Sequence, residues 1–467
     1  MAHYKSSTAA TSRPIHGIDR RRGRLRRNID LISSLPDEIL QQHIFVFIPT
    51  KLAIRTSVLS RRWRHVWSDT PSLSFESSDM LHAASINETL TRYTAPKMIK
   101  FHLTSSVEHA VPHMDKWIKF AMSRNVENLS LSVGFVSSYK LPDFFYMNSS
   151  IKQLNLMFPN SYIIPTCSVM WSSLKKLSLR YCILSDKSIG KILSGCPILE
   201  SLTLSHCQRL MVLDLSKSLR LRTLEIKCSV EFSRPRQIVA PNIHRLRLQN
   251  YKSTYILVDV SSLNEAQVDF FFYLHHKLTL EAYLLQDILK MLHKLKNAEK
   301  LIFGCNILQI LSLAEVCGLP FPMFKIKAMT LQTEIFQYVI PGIERLLQNS
   351  PDLKTVNVRA SEGNIIPDCY FDNYLDLQGL NPNQCWRSKD GVFWNKDRSN
   401  VESKNVASFV ELMLKNTKIL DKMVVQLNER YLGFKLEEVP TLSQKNNVSI
   451  VLSTTPMTYE WCESLIS

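Results

Sequence analysis

The sequence predicts an α/β protein in which a small unit of three short helices precedes a solenoid of parallel strands with helical or irregular return segments. Two patterns carry this prediction: an apolar segment with helix start and stop signals at residues 35–67, and a six-residue phrase that returns from residue 126 onward. Composition agrees, since 45% of the 467 residues are apolar and 21% are charged, as in an ordinary globular protein large enough for two or three domains.

The first 29 residues are expected to form a disordered basic arm. They carry eight Lys or Arg and one Asp, and so supply +7 of the net charge of +16. The densest part is a run of six arginines: Arg20, Arg21, Arg22, Arg24, Arg26 and Arg27. Such a run is typical of a nuclear import signal or a polyanion contact, and equally of a solvated tail. Because no apolar secretory signal accompanies it, we expect a nuclear or cytoplasmic, non-secreted protein whose ten cysteines are thiols.

Three short helices are predicted within residues 35–67. Pro36 suits a first helical position, and Pro49 ends the same helix. Thr50 is expected to cap the second helix and Ser60 the third. Apolar residues recur at helical spacing in all three: Leu40, Ile44, Phe47 and Ile48, then Leu52, Ile54, Val58 and Leu59, then Trp63 and Trp67. So short a unit falls below the roughly 40 residues that a lone core usually needs, so we expect another element or chain to cover part of its surface.

The strings LPDEIL, IPTK and RTSVLSRRWRHVW in this segment together resemble the F-box of plant F-box proteins. The resemblance implies docking onto a Skp-family adaptor, which joins an F-box chain to the cullin and RING subunits of a ubiquitin ligase. An exposed helical patch rich in Leu, Ile and Trp also marks a protein interface, and the alternative is a helical cap on the following domain. The expected adaptor-binding residues, some of which would instead hold the helices together, are Leu35, Pro36, Ile39, Leu40, Ile44, Ile48, Pro49, Leu59, Trp63 and Trp67.

The middle of the chain repeats one phrase. It reads VENLSL at Val126, IKQLNL at Ile151, LKKLSL at Leu174, LESLTL at Leu199, LRTLEI at Leu221 and IHRLRL at Ile243, with steps of 25, 23, 25, 22 and 22 residues. A period of about 20 to 29 residues with an L-x-x-L-x-L core is the signature of a leucine-rich-repeat solenoid. Weaker echoes follow at Ala298, Ile326 and Leu353. Alternating leucines bury one face of each strand, and stacked strands make a parallel sheet.

One return segment and one surface can be described in more detail. Ser185 or Asp186 is expected to cap a helix that Gly195 ends, and the string LSGCPILESLTLSHC resembles repeats of plant F-box proteins. The polar strand positions are expected to line a concave surface whose later rungs are more basic, which indicates an acidic or phosphorylated client segment or, alternatively, a solvated face without ligand. The candidate client-binding residues are Lys176, Arg180, Lys227, Arg245 and Arg247.

The C-terminal quarter has a different composition. Residues 360–405 are rich in Asn, Asp, Ser and Gly and predict a loop-rich excursion, after which Asn405 is expected to cap a helix. Strands are predicted at 422–427 and 448–452, as a continuation of the sheet. The run FVELMLKNTKILDKMVVQL, with Cys385 and Trp386 upstream, resembles the FBD module of plant F-box proteins, although RSKDGVFWNKDRSN replaces that family's usual stretch after the CW pair. The resulting division is a basic arm at 1–29, an F-box at 30–75, a solenoid at 76–360 and an FBD-like module at 361–467.

No catalytic, cofactor-binding or metal-binding residue is expected. The sequence contains no G-x-x-x-x-G-K-[ST], G-x-G-x-x-G, H-E-x-x-H, G-x-S-x-G or C-x-x-C motif, and no apolar run of 18 residues that could span a membrane. His275 and His276 are adjacent but have no carboxylate at ligand spacing, so a structural or surface role is predicted for them. The resemblance therefore implies a non-catalytic substrate receptor of a Skp-cullin-F-box ubiquitin ligase, which captures a client protein.

Two alternatives stay open. One is a basic, nucleic-acid-associated scaffold protein that works in no ligase, although the sequence shows no aromatic platform or zinc-finger spacing and nucleic acid is not the expected partner. The other is a small-molecule-gated receptor, in which a solenoid pocket rich in Lys and Arg binds an anion that holds the client in place.

Overall fold

A computed structural model describes residues 32, 34–76, 83–105, 111–134, 139–228, 235–251, 255–271, 282–360, 365–387, 392, 394, 403–427 and 447–454. The predicted basic arm and the pair His275 and His276 lie outside the described residues. Among the residues that are described, no helix is both long and apolar enough to cross a membrane.

Parallel strands dominate the described chain. In chain order they are β1 Ser72–Glu76, β2 Lys100–Ser105, β3 Asn128–Val133, β4 Gln153–Met157, β5 Lys176–Arg180, β6 Ser201–Ser205, β7 Val212–Asp214, β8 Thr223–Lys227, β9 Gln237–Val239, β10 Arg245–Tyr251, β11 Ile256–Asp259, β12 Glu265–Phe271, β13 Lys300–Gly304, β14 Ala328–Gln332, β15 Thr355–Arg359, β16 Lys422–Leu427 and β17 Ser449–Thr454. All but β7, β9 and β11 form one 14-stranded sheet in sequence order, and those three form a second sheet. The predicted solenoid of parallel strands is confirmed.

Each of the six copies of the repeated phrase lies on a strand of the large sheet, as do the three weaker echoes. Leucines alternate with polar residues as predicted, so that in β3 Leu129 and Leu131 are buried while Asn128 and Ser130 reach the surface. The buried leucines belong to one continuous core that runs from Leu73 to Val448. Stacking of the repeats therefore supplies the core that no single strand could form.

Three strands of the large sheet carry no leucine phrase and were not predicted. In β2 the buried positions are Phe101 and Leu103, preceded by Met98, and in β12 the middle leucine is replaced by Ala266. The third is β1, where the buried positions are Leu73 and Phe75. These residues fill the same inward positions. The alternation of buried and exposed residues therefore continues through these strands, although leucine no longer marks it.

Helices return the chain between strands. They are α1 Asp37–Ile39, α2 Thr50–Arg55, α3 Trp63–Val66, α4 Ala83–Arg92, α5 Val111–Ser123, α6 Asp143–Tyr146, α7 Asp186–Ser194, α8 Ala282–Leu295, α9 Cys305–Val316, α10 Ile340–Gln348, α11 Asp368–Leu377, α12 Pro382–Cys385 and α13 Ser403–Lys415. The predicted cap of α7 is confirmed, because the Ser185 hydroxyl accepts a hydrogen bond from the Ser188 N–H at 3.1 Å and Gly195 stands at the C-cap.

The C-terminal quarter departs from the sequence prediction in two respects. Residues 360–405 are not only loop, because α11 and α12 lie there and the Trp386 ring packs on Tyr338 with centroids 4.7 Å apart. Asn405 does not cap α13 but lies buried inside it. The two predicted strands are confirmed as β16 and β17, and they extend the large sheet. The solenoid was predicted to span residues 76–360. Its sheet instead begins at residue 72 and continues past residue 360.

Candidate interaction surfaces

The helical unit at residues 34–69 has a hydrophobic core of its own, separate from that of the solenoid. Six residues form it: Leu40, Phe45, Ala53, Trp63, Val66 and Trp67. The rings of Phe45 and Trp63 lie 5.7 Å apart and tilted, an arrangement that aromatic pairs favour. Leu35, Ile44, Ile48 and Ile54 pack against this core while remaining partly exposed. The unit therefore holds its three helices together without being enclosed by the solenoid.

The first helical segment changes its winding twice. Helix α1 runs into a π-helical turn at Leu40–Ile44 and then into a 3-10 turn at Phe45–Phe47. Because the π turn closes i→i+5 bonds and the 3-10 turn i→i+3 bonds, the apolar face no longer follows the regular α-helical period. Phe45 consequently points into the core, whereas Phe47, predicted to share the face of Leu40 and Ile44, is 82% exposed.

The ten predicted adaptor-binding residues fall into three groups. Pro36, Ile39 and Leu59 are exposed. Leu35, Ile44, Ile48 and Pro49 are half-buried. Leu40, Trp63 and Trp67 are buried in the core of the unit, so their side chains are already covered by its own helices. We assign these last three the internal role and retain the other seven as candidates for contact with a partner.

Three further apolar side chains of the unit face solvent. Besides Phe47, Val58 is 88% exposed and Leu52 is 47% exposed, alongside the predicted Leu59 at 67%. Helical spacing identified them as apolar face residues but not as surface residues, because the 3-10 turn at Thr56–Val58 ends α2 before Val58 can point inward. Complete burial of one such side chain contributes about 1.5–3 kcal/mol, so their exposure leaves the unit with substantial unused apolar surface.

Short polar contacts fix the unit and attach it to the solenoid. Thr50 is the first residue of α2 rather than its cap, and its hydroxyl accepts a hydrogen bond from the Ser74 N–H of β1 at 2.7 Å. Arg62, just before α3, forms an ion pair with Asp37 of α1 at 2.6 Å. The predicted cap Ser60 accepts a long hydrogen bond from the Trp63 N–H at 3.4 Å.

Exposed cations lie close in sequence to the exposed apolar side chains. Lys51, Arg55, Arg61 and Arg64 are all exposed on α2, on α3 or in the turn between them. The exposed carboxylates of the unit are Glu38, Asp37, which is paired with Arg62, and Asp69, which accepts a hydrogen bond from the Thr94 hydroxyl. Such a basic rim around an apolar patch is complementary to an acidic partner surface.

The five candidate client-binding cations share the solvent-facing side of the large sheet, called the open face below. The register places Lys176, Ser201, Thr223 and Arg245 in one row across β5, β6, β8 and β10. A second row, two residues further along the strands, ends in Arg247, which lies beside Glu225. Glu225 Oε1 forms ion pairs with Lys227 at 3.0 Å and Arg247 at 3.5 Å. Glu265 of β12 lies beside Arg245 in the first row and is paired with Lys300 at 3.2 Å. The five cations therefore outnumber the carboxylates beside them, and this part of the open face carries net positive charge.

The described residues offer no cluster of three His, Cys, Asp or Glu side chains that could hold a metal ion. The nine cysteines in the described part of the chain are free, as predicted. Burial raises the pKa of the Cys182 and Cys196 thiols to about 12. These thiols are therefore protonated at neutral pH, whereas a cysteine nucleophile acts as the thiolate.

Comparison with known proteins agrees with both parts of this architecture. Residues 32–75 match the F-box domain family, and residues 93–385 match the family described as At1g61320/AtMIF1, LRR domain. The putative F-box/LRR-repeat protein At3g18150 of Arabidopsis thaliana is 56% identical over 455 residues, which span 96% of this chain and 98% of that protein. The F-box/LRR-repeat protein At3g03360 of the same plant is 51% identical, over 91% of each chain.

The helical unit, the stacked parallel strands and the full-length relatives thus agree with one another. The chain belongs to the plant F-box/leucine-rich-repeat proteins.

Proposed function

We propose that this chain is the non-catalytic substrate receptor of a Skp-cullin-F-box ubiquitin ligase. The helical unit binds a Skp-family adaptor and, through it, the cullin and RING subunits, while the open face of the solenoid captures a client protein. Such an assembly accelerates ubiquitin transfer by proximity. It holds a client lysine near a conjugating enzyme that carries ubiquitin, and so converts a bimolecular encounter into a local one. The receptor positions the client and contributes no reactive group.

One observation carries the proposal: the helical unit has a complete core and still exposes large apolar side chains. Residues such as Phe47 and Val58 add nothing to the folded chain while water covers them, and such exposure marks interaction surfaces. A specific interface buries roughly 800 Å² on each partner, with a few apolar anchors at its centre. A helical partner surface that is apolar and acidic fits both the anchors and the surrounding arginines and lysines.

The client-binding role rests on the open face. Lys176, Arg180, Lys227, Arg245 and Arg247 stand on three strands, β5, β8 and β10, and Glu225 neutralises only part of their charge. A client segment with acidic or phosphorylated residues would satisfy the remaining charge. The rigid strands hold these cations at fixed spacing, which gives selectivity among acidic segments.

Two further parts of the proposal concern the ends of the chain and its location. The C-terminal residues from 361 onward are an FBD-like module that caps the solenoid by adding β16 and β17 to the sheet. The chain works in the nucleus, the cytoplasm or both, with the arginines at 20–27 as the candidate import signal. Both parts rest on the sequence resemblance and on the composition of the N-terminal arm.

Co-purification with the adaptor tests the docking role. The double variant Leu35→Ala/Pro36→Ala is expected to lose adaptor, cullin and RING subunits together, because all three attach through one surface. Leu219→Ala, which truncates an exposed leucine on the solenoid, is the matched control and is expected to retain them. Undiminished adaptor binding by the double variant contradicts the docking role.

The same purification, carried out with the proteasome inhibited, separates this function from the nucleic-acid alternative. A ligase receptor is expected to accumulate with adaptor, cullin and a ubiquitinated client. Salt-dependent binding of DNA or RNA that disappears when residues 1–29 are deleted, in a chain that captures no adaptor, would instead establish the scaffold role.

A further inference from the structure

Two cations flank a small residue at the carboxyl ends of β5, β6 and β8. The register pairs Arg180 with Ser205 and Ser205 with Lys227. Neighbouring strands lie about 4.8 Å apart, so the backbones at Arg180 and Lys227 are roughly 10 Å apart. Ser205 between them is buried and short. The long side chains of the two cations therefore flank a short side chain that is itself covered, and the space between the two cations is called the notch below.

An aromatic stack lies beside this notch, one residue further along the chain from Arg180 and Ser205. Tyr181 and His206 follow β5 and β6, and their rings are stacked with centroids 4.6 Å apart and an interplanar angle of 13°. The Tyr181 N–H donates to the Ser205 carbonyl at 2.8 Å, and the His206 N–H donates to the Lys227 carbonyl at 2.6 Å. The stack is thus attached by its backbone to the same strands that present the cations.

Both aromatic residues occupy the left-handed region of the backbone. The φ angle is 57° at Tyr181 and 54° at His206. This conformation costs a non-glycine residue roughly 1–2 kcal/mol, and such outliers concentrate at functional sites. A glycine or asparagine would form the same turn at lower cost, and the contact between the two stacked rings offsets part of that cost.

The charges around the stack are arranged for an anion. Burial, and then the positive charges of Lys227 and Arg180, lower the pKa of His206 to about 4. The ring is therefore neutral at physiological pH, and both cations lie close enough to influence it. Lys227 shares Glu225 with Arg247, whereas among the described residues Arg180 forms no ion pair with a carboxylate. The notch thus has one cation available and a second that is partly neutralised.

We propose that the notch bordered by Arg180 and Lys227, with the Tyr181–His206 stack as its wall, binds a phosphomonoester carried by an extended segment of the client. This inference rests on the proposed receptor function and specifies the chemical group on the client that the receptor recognises. A phosphomonoester carries a charge of about −1.5 to −2 and three acceptor oxygens. Arg180 can bind two of those oxygens through its planar guanidinium, and Lys227 supplies a point charge opposite. A single carboxylate could also contact both cations, but its charge of about −1 and its two oxygens compensate them less completely than a phosphomonoester does.

Inorganic phosphate is the first probe, applied to the full chain labelled at its histidine rings and followed by NMR. Phosphate is expected to raise the pKa of His206 toward its ordinary value, because an anion between the two cations offsets their charge. His206→Asn, which tolerates the left-handed backbone, identifies the signal. The response is expected to vanish in Arg180→Ala and to persist in Lys217→Ala, which removes an exposed cation outside the open face. An unchanged response in Arg180→Ala overturns the proposal.

A phosphoserine decapeptide of otherwise neutral sequence, with its serine and aspartate counterparts, is the second probe. The phosphoserine peptide is expected to bind at least tenfold more tightly than the other two, and Arg180→Ala to remove most of that difference. Equal binding of the three peptides overturns the proposal. Adaptor co-purification, measured on the same variants, is independent of the notch, so loss of peptide binding with retained adaptor separates failure of this inference from failure of the receptor function.

Discussion

The hydroxyl of Thr50, on the second helix of the F-box, accepts a hydrogen bond from the backbone N–H of Ser74 at 2.7 Å. Ser74 lies in β1, the first strand of the large sheet, whose other edge pairs with β2. An unpaired strand edge invites pairing with another chain, and the F-box covers part of this one. The contact therefore covers part of the sheet edge and joins the helical unit to the solenoid.

Replacing Thr50 by valine is expected to lower the free energy of unfolding by about 1–3 kcal/mol. The shape of the side chain is retained, but the Ser74 N–H loses its acceptor in a largely buried place. Chemical denaturation measures the change, and hydrogen exchange at residues 72–76 shows whether it is local. Thr89→Val is the control, because the Thr89 hydroxyl bonds only within its own exposed helix and is expected to matter little. Equal effects of the two substitutions would contradict a special role for the Thr50 contact.

Gly304 at the end of β13 is expected to tolerate no side chain while Asp269 stands beside it. A Cβ added at Gly304 would overlap the carboxyl group of Asp269 on the neighbouring strand. Gly304→Ala is therefore expected to cost about 1–3 kcal/mol of unfolding free energy, as overpacking usually does. In the background Asp269→Ala the same substitution is expected to cost far less. A double-mutant cycle measures this coupling, and additive effects would show that some other neighbour excludes the side chain.

The stability of the chain is expected to fall as the pH decreases from about 6.5 to about 4, in part because of His206. Its pKa is lower in the folded chain than in the unfolded one, so over this range the unfolded state takes up the proton first. The stabilising contribution is complete above the unfolded pKa and is lost on approach to pH 4. We expect about 1–2 kcal/mol, since remaining solvent exposure screens part of the effect.

Comparison with His206→Asn isolates this contribution from that of the other histidines. Unfolding free energies of both proteins, measured across that range, are expected to converge at acidic pH and to differ most near neutrality. Parallel curves would show that burial and the two cations do not lower the pKa of His206 in the folded chain.

The strands could be predicted where leucine marks the buried positions, and less well elsewhere. Six copies of one phrase predicted β3, β4, β5, β6, β8 and β10, because a strand that buries one face shows leucine at every second residue of the sequence. In β12 the same inward position holds Ala266, which is buried but does not match the leucine phrase. The short strands β7, β9 and β11 have no pattern of their own, because runs of three or four residues are too short for periodicity to identify.

The candidate sites show a similar limit. The sequence identified the apolar residues of the F-box. Which of their side chains are buried and which are exposed depends on a π turn and two 3-10 turns, and a prediction that assumes regular helices does not include such turns. Phe47 and Val58 were therefore missed as surface residues. The Tyr181–His206 stack was missed for another reason: the two residues are 25 positions apart and meet only because successive repeats place equivalent turns side by side.

Titration calorimetry of the full chain against a purified Skp-family adaptor measures whether the adaptor covers the exposed apolar side chains of the helical unit. The triple variant Phe47→Ser/Val58→Ser/Leu59→Ser removes exposed apolar surface without touching the core of the unit, so it is expected to fold normally. We expect at least a hundredfold loss of affinity, since truncated interface anchors often cost about 2 kcal/mol each. Leu219→Ser/Leu377→Ser, at exposed leucines elsewhere, is the matched control and is expected to bind as the parent does. A triple variant that folds and binds with parental affinity would contradict the claim that the adaptor covers these side chains.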